Sequence, residues 1–299
     1  MGLHRYESLE AAVKGCFGRS VEIAQSSRTA HSDINSTKSL YLSNGETVFL
    51  KINTIENSGF FDAEEEGLTA IAETGTIKTP QLFAKGVDLA KGISFLMMEV
   101  IDRGNVTRNA LSRMGHAFAR MHKAQADAFV PEKRYGFLND NYIGASRQIN
   151  TPKNSWIDFF RECRLEPQFR MADNAFGISD RKRILRLLDR LDELLIEPDQ
   201  PSLLHGDMWG GNHLFNRDEE AVLIDPAVYV GHAEADLAMT EMFRPLPREF
   251  YEAYYDENPM LPEYKDRRSL YNLYHKLNHH NLFGGGYLYS VLDTIMHYT

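Results

Sequence analysis

A carboxylate, an amide five residues later and a second carboxylate thirteen residues after that, each half preceded by an apolar run, limit what this chain of 299 residues can become. The segment is Leu203-Leu204-His205-Gly206-Asp207-Met208-Trp209-Gly210-Gly211-Asn212, followed by Val222-Leu223-Ile224-Asp225-Pro226. Oxygen donors at this spacing are those of a phosphoryl-transfer site. In that arrangement Asp207 accepts the proton of an attacking hydroxyl, while Asn212 and Asp225 hold magnesium against nucleotide phosphates. Oxygen ligands suit this hard cation, which completes its shell with phosphate and water. Asp, Gly and Asn also make ordinary turns between strands, but a turn alone does not account for both halves and the strands before them.

The bulk properties narrow the classes further. An apolar fraction of 43% supports a sizeable core in one or two globular domains. A formal net charge of -9 offers no electrostatic basis for wrapping nucleic acid or lying on an anionic membrane; a metal bound with ATP brings its own positive charge. Cys16 and Cys163 are far apart and form no CxxC pair, so neither a disulfide framework nor a zinc site is indicated. No apolar run approaches the roughly twenty residues of a membrane span. Met1 to Ser8 lacks a signal-peptide core, so the cytoplasm is the expected location.

Upstream, Thr47-Val48-Phe49-Leu50-Lys51-Ile52 follows the turn-forming Ser43-Asn44-Gly45 and reads as a strand. Alternation places Phe49 and Lys51 on one face and Val48, Leu50 and Ile52 on the other, so Lys51 is expected to face a cleft beneath a sheet. Phe61 to Glu73 has helical spacing, with Glu64, Glu65 and Glu66 in its first turns, where the helix dipole favours carboxylates. The usual fate of such a run is a solvated face, but one member can pair with Lys51, as a strand lysine does with a helix glutamate in phosphoryl-transfer enzymes. Glu64, thirteen residues beyond Lys51, is the candidate.

Ile93 to Ile101 is a nearly continuous apolar run ending at Asp102-Arg103-Gly104. It reads as a buried strand leading into a hinge, and the backbone from Glu99 to Ile101 is then free to bond the edge of a nucleotide base. Met97 and Met98 read as core. Past this point the period changes from two to about 3.6: Leu111, Met114, Phe118 and Met121 form one helical stripe, and Ile184, Leu187, Leu188, Leu191, Leu194 and Leu195 another. Ser179 is the expected N-cap of the second helix and Pro198 its end. The expected class is α+β, with a small β-rich lobe over residues 1–101 and a larger, mainly helical lobe over 102–299. Tyr135 to Gly144 reads as an aromatic loop, and Trp156, Phe159 and Phe160 as core aromatics on a helix.

The order Lys51, Glu64, hinge, Asp207, Asn212, Asp225 is that of a bilobal protein-kinase-like fold. The HGD form of the loop resembles the small-molecule branch that includes aminoglycoside and choline kinases, in which Asp236 would brace the catalytic loop. Finer blocks resemble the fructosamine kinases, also called ketosamine kinases, over nearly the full length. These blocks are Phe137 to Gly144, Trp156 to Glu162, Arg164 to Gln168, Leu204 to Asn212, Ile224 to Tyr229, Gly231 to Glu241 and Leu277 to Tyr287. The resemblance implies ATP and Mg2+ as cofactors and, as acceptor, the sugar of a ketosamine, a fructosamine or ribulosamine adduct of a small amine or a protein lysine. Phosphorylation at the third sugar hydroxyl would destabilise the adduct and regenerate the amine, a deglycation repair. Trp209 would stack on the sugar and His279 would contact it; both are equally credible as packing residues.

One segment departs from the family pattern. Ser27 to Ser36, where relatives carry a glycine-rich phosphate loop, contains no glycine, and side chains make close approach to phosphate harder. Arg28, His31 or Ser32 is then expected to touch the phosphates directly. Two other readings stay open: a kinase of another amine-bearing small molecule such as an aminoglycoside or choline, and a nucleotide-binding kinase-fold protein with weak catalysis. Monomer and homodimer are equally compatible with the sequence.

Overall fold

The computed structural model describes residues 2–31, 35–130 and 134–299. Its N-terminal part is built on seven strands: β1 (Arg5–Tyr6), β2 (Ile23–Ser26), β3 (Ala30–His31), β4 (Ser36–Leu42), β5 (Thr47–Thr54), β6 (Leu82–Asp88) and β7 (Ile93–Glu99). They run in the order β1-β6-β7-β5-β4-β2, with β3 also pairing β4. All pairs are antiparallel except β1 with β6. The Ser43-Asn44-Gly45 turn joins β4 to β5, and Gly45 supplies the positive φ, 88°, that it needs.

Strand alternation sorts the two faces as the pattern predicts. Val48, Leu50 and Ile52 pack with Leu9, Ala12 and Val13 of α1 (Leu9–Phe17), a helix capped by Ser8. Phe49 lies on the opposite face with Phe61, Leu96 and Met98, beneath α2 (Ser58–Glu73).

The three glutamates of α2 do not form the solvated face usual for such a run, and Glu64 makes the expected pair with Lys51. The helix begins at Ser58 and has no acidic residue in its first turn, so the dipole is not what holds them. Successive residues of a helix turn by about 100°, and each glutamate meets a different surface. Glu64 pairs with Lys51, the buried Glu65 pairs with Lys85 and accepts the Leu3 N–H at 2.6 Å, and Glu66 accepts from Asn139 Nδ2 at 3.0 Å. The same helix is seated on the C-terminal part. Phe60 stacks on Tyr142 at 4.0 Å, and at Gly67 a β-carbon would come within 3.0 Å of Pro226.

Beyond β7 the chain is mainly helical. Thr107 caps α3 (Arg108–Lys123), accepting the Ala110 N–H at 3.1 Å on its hydroxyl. Tyr135 to Gly144 is more ordered than a connector: Tyr135 bridges to Lys153, Gly136 bridges to Val230, and β8 (Asn141–Ile143) and β9 (Ser146–Gln148) form a hairpin. Then follow α4 (Trp156–Phe159), a π-helical turn over Phe160–Leu165, α5 (Glu166–Met171), α6 (Ile178–Asp189) and α7 (Leu191–Leu194). Ser179 is not the cap of α6. The helix starts one residue before it, and the Asp180 carboxylate accepts the Gly177 N–H at 3.1 Å. Nor does Pro198 end the leucine-rich stretch, which breaks at Arg190 and is extended by Leu195.

Two short ladders carry the remaining loops: β10 (Ser202–Leu204) pairs with β13 (Tyr229–Gly231), and β11 (His213–Phe215) with β12 (Ala221–Leu223). Helices α8 (Ala233–Thr240), α9 (Arg248–Glu257), α10 (Tyr264–Phe283) and α11 (Tyr287–Tyr298) complete the chain. Trp156, Phe159, Phe160, Tyr229 and Tyr271 lie in the main core, which reaches Ala70 and Ile71 of α2. Arg164 is fully buried among them, 3.8 Å from the Tyr229 ring, and donates to the Ile149 and Cys163 carbonyls. No helix of the described residues is long and apolar enough to cross a membrane.

Candidate active site

The loop after β10 is held from behind by one carboxylate. Asp236, in the middle of α8, accepts the His205 N–H at 2.6 Å and the Gly206 N–H at 2.8 Å. It also faces His122 Nε2 at 3.2 Å. Burial alone would raise its pKa, but the His122 contact and these hydrogen bonds hold it below the usual aspartate value. His205 is fully buried and its pKa is lowered by that burial. The neutral ring donates from Nε2 to the Ile224 carbonyl at 3.0 Å and accepts the Asp207 N–H on Nδ1 at 3.3 Å. One imidazole thus ties the loop carrying Asp207 to the strand end carrying Asp225. Gly206 has φ 81°, and a β-carbon there would lie 2.0 Å from the Ala227 carbonyl oxygen, so only glycine lets the two segments touch.

Asp207 sits half-buried at the mouth of this loop. Burial pushes its carboxyl up to about 7; Asp225 and Asp236 push the same way, and the Asn212 hydrogen bond opposes them. A carboxylate poised near neutrality can accept a proton from a hydroxyl and release it again. Asn212 Nδ2 donates to the Asp207 carbonyl at 2.8 Å and to Asp207 Oδ2 at 3.0 Å. Both partners are acceptors, which identifies the amide nitrogen and leaves Oδ1 for a cation. Asp225 adopts φ 54°, a left-handed conformation uncommon for a residue with a side chain.

Lys51, on the α2 face of β5, is buried and makes ion pairs with both Glu64 and Asp225. Burial would lower its pKa, but the two carboxylates outweigh burial and raise it, so the ammonium stays charged. Five polar side chains, Lys51, Glu64, Asp207, Asn212 and Asp225, therefore come together from two lobes and four separate elements. The Asn212 and Asp225 oxygens form a donor set that fits magnesium accompanied by nucleotide phosphates and water.

The base-binding candidates lie where β7, the strand paired with the Lys51 strand, ends. Glu99 ends β7, where its N–H donates to the Gln81 carbonyl at 2.8 Å and its carboxylate accepts the Gln81 N–H at 3.1 Å. Ile101 is two residues on, outside any strand and half-buried. Ser32 lies outside the described residues. Around it the hairpin is preserved: β3 pairs with β4 through Ala30 with Thr37, and Ser27 exchanges hydrogen bonds with Ser39. Arg28 is exposed on this hairpin.

Trp209 and His279 do not touch one another; Phe243 joins them. Its ring lies 5.9 Å from Trp209 and 5.1 Å from His279, and His279 in turn lies 5.2 Å from Tyr287 and 5.7 Å from Phe283. Trp209, Phe243 and Phe283 remain 40%, 46% and 53% exposed. Exposed aromatics gathered beside the Asp207 loop form a wall rather than a core. Phe243 was missed in the sequence because nothing in its periodicity marks it. Its position just past the Gly231 to Glu241 block was the available signal.

The fructosamine kinase family profile matches residues 6–298. A probable ketoamine kinase of Synechocystis is 40% identical over 240 residues, covering 80% of this chain and 78% of the relative. The chloroplastic protein-ribulosamine 3-kinase of Arabidopsis thaliana is 38% identical over 263 residues, covering 86% and 78%. A crystal structure from Haemophilus somnus assigned as a fructosamine-3-kinase superposes with a TM-score of 0.86 at 27% identity, covering 98% of this chain and 97% of that one. The fold extends to an aminoglycoside phosphotransferase crystallised with AMP-PNP and hygromycin B, at TM-score 0.63 and 14% identity, covering 97% and 98%. With a match spanning almost every residue, this chain belongs to the fructosamine kinase family, ATP-dependent phosphotransferases with an alcohol acceptor.

Proposed function

We propose that this chain transfers the γ-phosphoryl group of ATP, bound with Mg2+, to the 3-hydroxyl of the sugar in a fructosamine or ribulosamine, as a deglycation step. The supporting observation is the meeting of Lys51, Glu64, Asp207, Asn212 and Asp225; the cleft that holds them is read as lying between a lobe of residues 1–101 and one of 102–299. Relatives named for ketoamine and ribulosamine substrates support the choice of acceptor.

In this reading the backbone just after the Glu99 N–H, which is engaged by Gln81, holds the adenine edge through to Ile101. Lys51, kept charged by Glu64, bears on the phosphates. Asn212 Oδ1 and the Asp225 carboxylate hold Mg2+, which when bound neutralises charge on the phosphate oxygens. Asp207 accepts the proton of the sugar hydroxyl as its oxygen bonds to phosphorus and the bond to the ADP oxygen breaks; the proton then passes from Asp207 to solvent. Trp209 and His279 flank the sugar. Phosphate at the third carbon is a better leaving group than hydroxyl, so the product decomposes and frees the amine.

ATP consumption measured with a ketosamine, with an aminoglycoside and without acceptor tests the assignment. Turnover is expected with the ketosamine alone, and turnover with the aminoglycoside alone would refute it. The acid limb of the pH profile tests Asp207. The carboxyl must be ionised to take the proton, so kcat/KM rises with pH through one ionisation. Its midpoint lies above the ordinary carboxylate range, at about 7 or below once the Mg2+ charge is near. A flat profile over about pH 5 to 8 would remove Asp207 from the base role.

The phosphate hairpin gives a further test. With no glycine between Ser27 and Ser36, Arg28, His31 or Ser32 is proposed to supply phosphate contacts from its side chain. Among Arg28→Ala, His31→Ala and Ser32→Ala, loss of the contacting side chain is expected to raise KM for ATP by roughly three- to tenfold, the loss of one charge-assisted or neutral hydrogen bond. Unchanged values in all three would mean that the backbone of the hairpin suffices.

A further inference from the structure

The aromatic wall beside Trp209 does not stop at His279. Two of its rings, Phe243 and Tyr287, also line a cavity of about 330 Å³ with Met242, Lys276, Gly286 and Ser290. Gly284 and Gly285, both at φ 63°, let the chain reverse between α10 and α11 and bring Tyr287 and Ser290 opposite Lys276. Lys276 stands three residues before His279 on α10, so the two side chains share a helix face. The cavity thus begins one ring beyond Trp209, itself two residues from Asp207.

Among the described residues of this lining, Lys276 is the only cationic side chain. Its ammonium donates to Thr294 Oγ1 at 2.7 Å, while that hydroxyl donates to the Ser290 carbonyl at 2.9 Å. One of three ammonium donors is thereby used. Among the described residues no carboxylate lies within ion-pair distance of it. Burial lowers the Lys276 pKa, and the Asp293 carboxylate offsets this only in part. A half-buried ammonium with spare donors, walled by aromatic rings, suits an anionic group attached to an apolar stem. A single cation matches the single charge of a carboxylate better than the double charge of a phosphate.

We propose that this cavity receives the amine part of the ketosamine and that Lys276 binds a carboxylate carried on it, so that glycated amino acids are preferred over glycated alkylamines. This rests on the ketosamine reading above. Two acceptors with the same ketose, one on ε-aminocaproate and one on hexylamine, differ only in the carboxylate. The parent enzyme is expected to show a KM about tenfold lower for the carboxylate-bearing acceptor, as one charge-assisted hydrogen bond allows. The ratio should fall to about one in Lys276→Met and persist in Lys276→Arg, which keeps the charge. Equal KM values in the parent, or a preference intact in Lys276→Met, would overturn the inference and leave the ketosamine reading standing. Transfer to neither acceptor would overturn both.

Discussion

Asp207→Asn is expected to lower kcat by about a thousandfold or more, the upper part of the range for losing a positioned base, while ATP binding by calorimetry stays near the parent value. Asparagine keeps the shape and can still meet Asn212, but it cannot take a proton. Stability should move the other way. The Asp207 carboxyl is pushed up to about 7 in the folded chain by burial, with Asp225 and Asp236 adding to it. A group whose folded pKa lies above its unfolded value binds its proton more tightly when folded. Its ionisation therefore erodes stability as pH rises from the ordinary carboxylate range to about 7, and the loss is complete above that. Removing the charge removes the loss, so the Tm of Asp207→Asn at about pH 8 should equal or exceed that of the parent. A variant within tenfold of the parent rate would refute the role assigned to Asp207.

Lys51→Met should cost both rate and stability. Lys51 is buried against Glu64 and Asp225. Removing one partner of a buried pair leaves the other uncompensated, at a cost of about 3 to 5 kcal/mol. The rate should fall by roughly a hundred- to a thousandfold, as when one charge-stabilising donor is lost from a reacting centre. The double variant Lys51→Met with Glu64→Gln separates the two effects, because it takes away the stranded carboxylate without returning the ammonium. Its Tm should recover most of the loss, while its rate should not recover. In the single variant the unpaired Glu64, whose carboxyl burial already holds above its usual value, is charged at a cost that grows as pH rises. The gap in Tm between variant and parent should therefore narrow as pH falls from about 8 towards 5. A double variant as unstable as the single one would show that Glu64 is not the energetic partner.

These two experiments bear on residues that differed in how plainly the sequence displayed them. Asp207, Asn212 and Asp225 stand at short, fixed spacing, so local order alone singled them out as candidates, and the structure brings them together. Lys51 was visible through strand alternation, because a side chain two positions from Phe49 must share its face. Glu64 was a choice among three adjacent glutamates, and only packing separated them. α2 starts at Ser58 and is seated by Gly67 on Pro226, and this rotation brings Glu64 to Lys51, Glu65 to Lys85 and Glu66 to Asn139. A solvated face, the usual fate of such a run, would have required the helix to stand alone; lying against two surfaces, it pairs Glu64 with Lys51 as expected.

Phe243 and Lys276 mark the other limit. Neither has a periodicity or a motif, and the first is 33 residues before the second in the chain. They become neighbours across one cavity because the glycine run after Phe283 folds α11 back against α10. By itself the sequence determined the two-lobed α+β plan, the strand carrying Lys51 and the order of the candidate phosphoryl-transfer residues, since each depends on contacts a few residues apart or on a repeating period. Only the tertiary structure decided which glutamate pairs with Lys51, that His205 and Asp236 lock the loop from behind, and that an aromatic wall continues past His279 to a lone ammonium. Those outcomes rest on contacts between segments far apart in the chain, and such contacts are set by how whole helices rotate and close on one another.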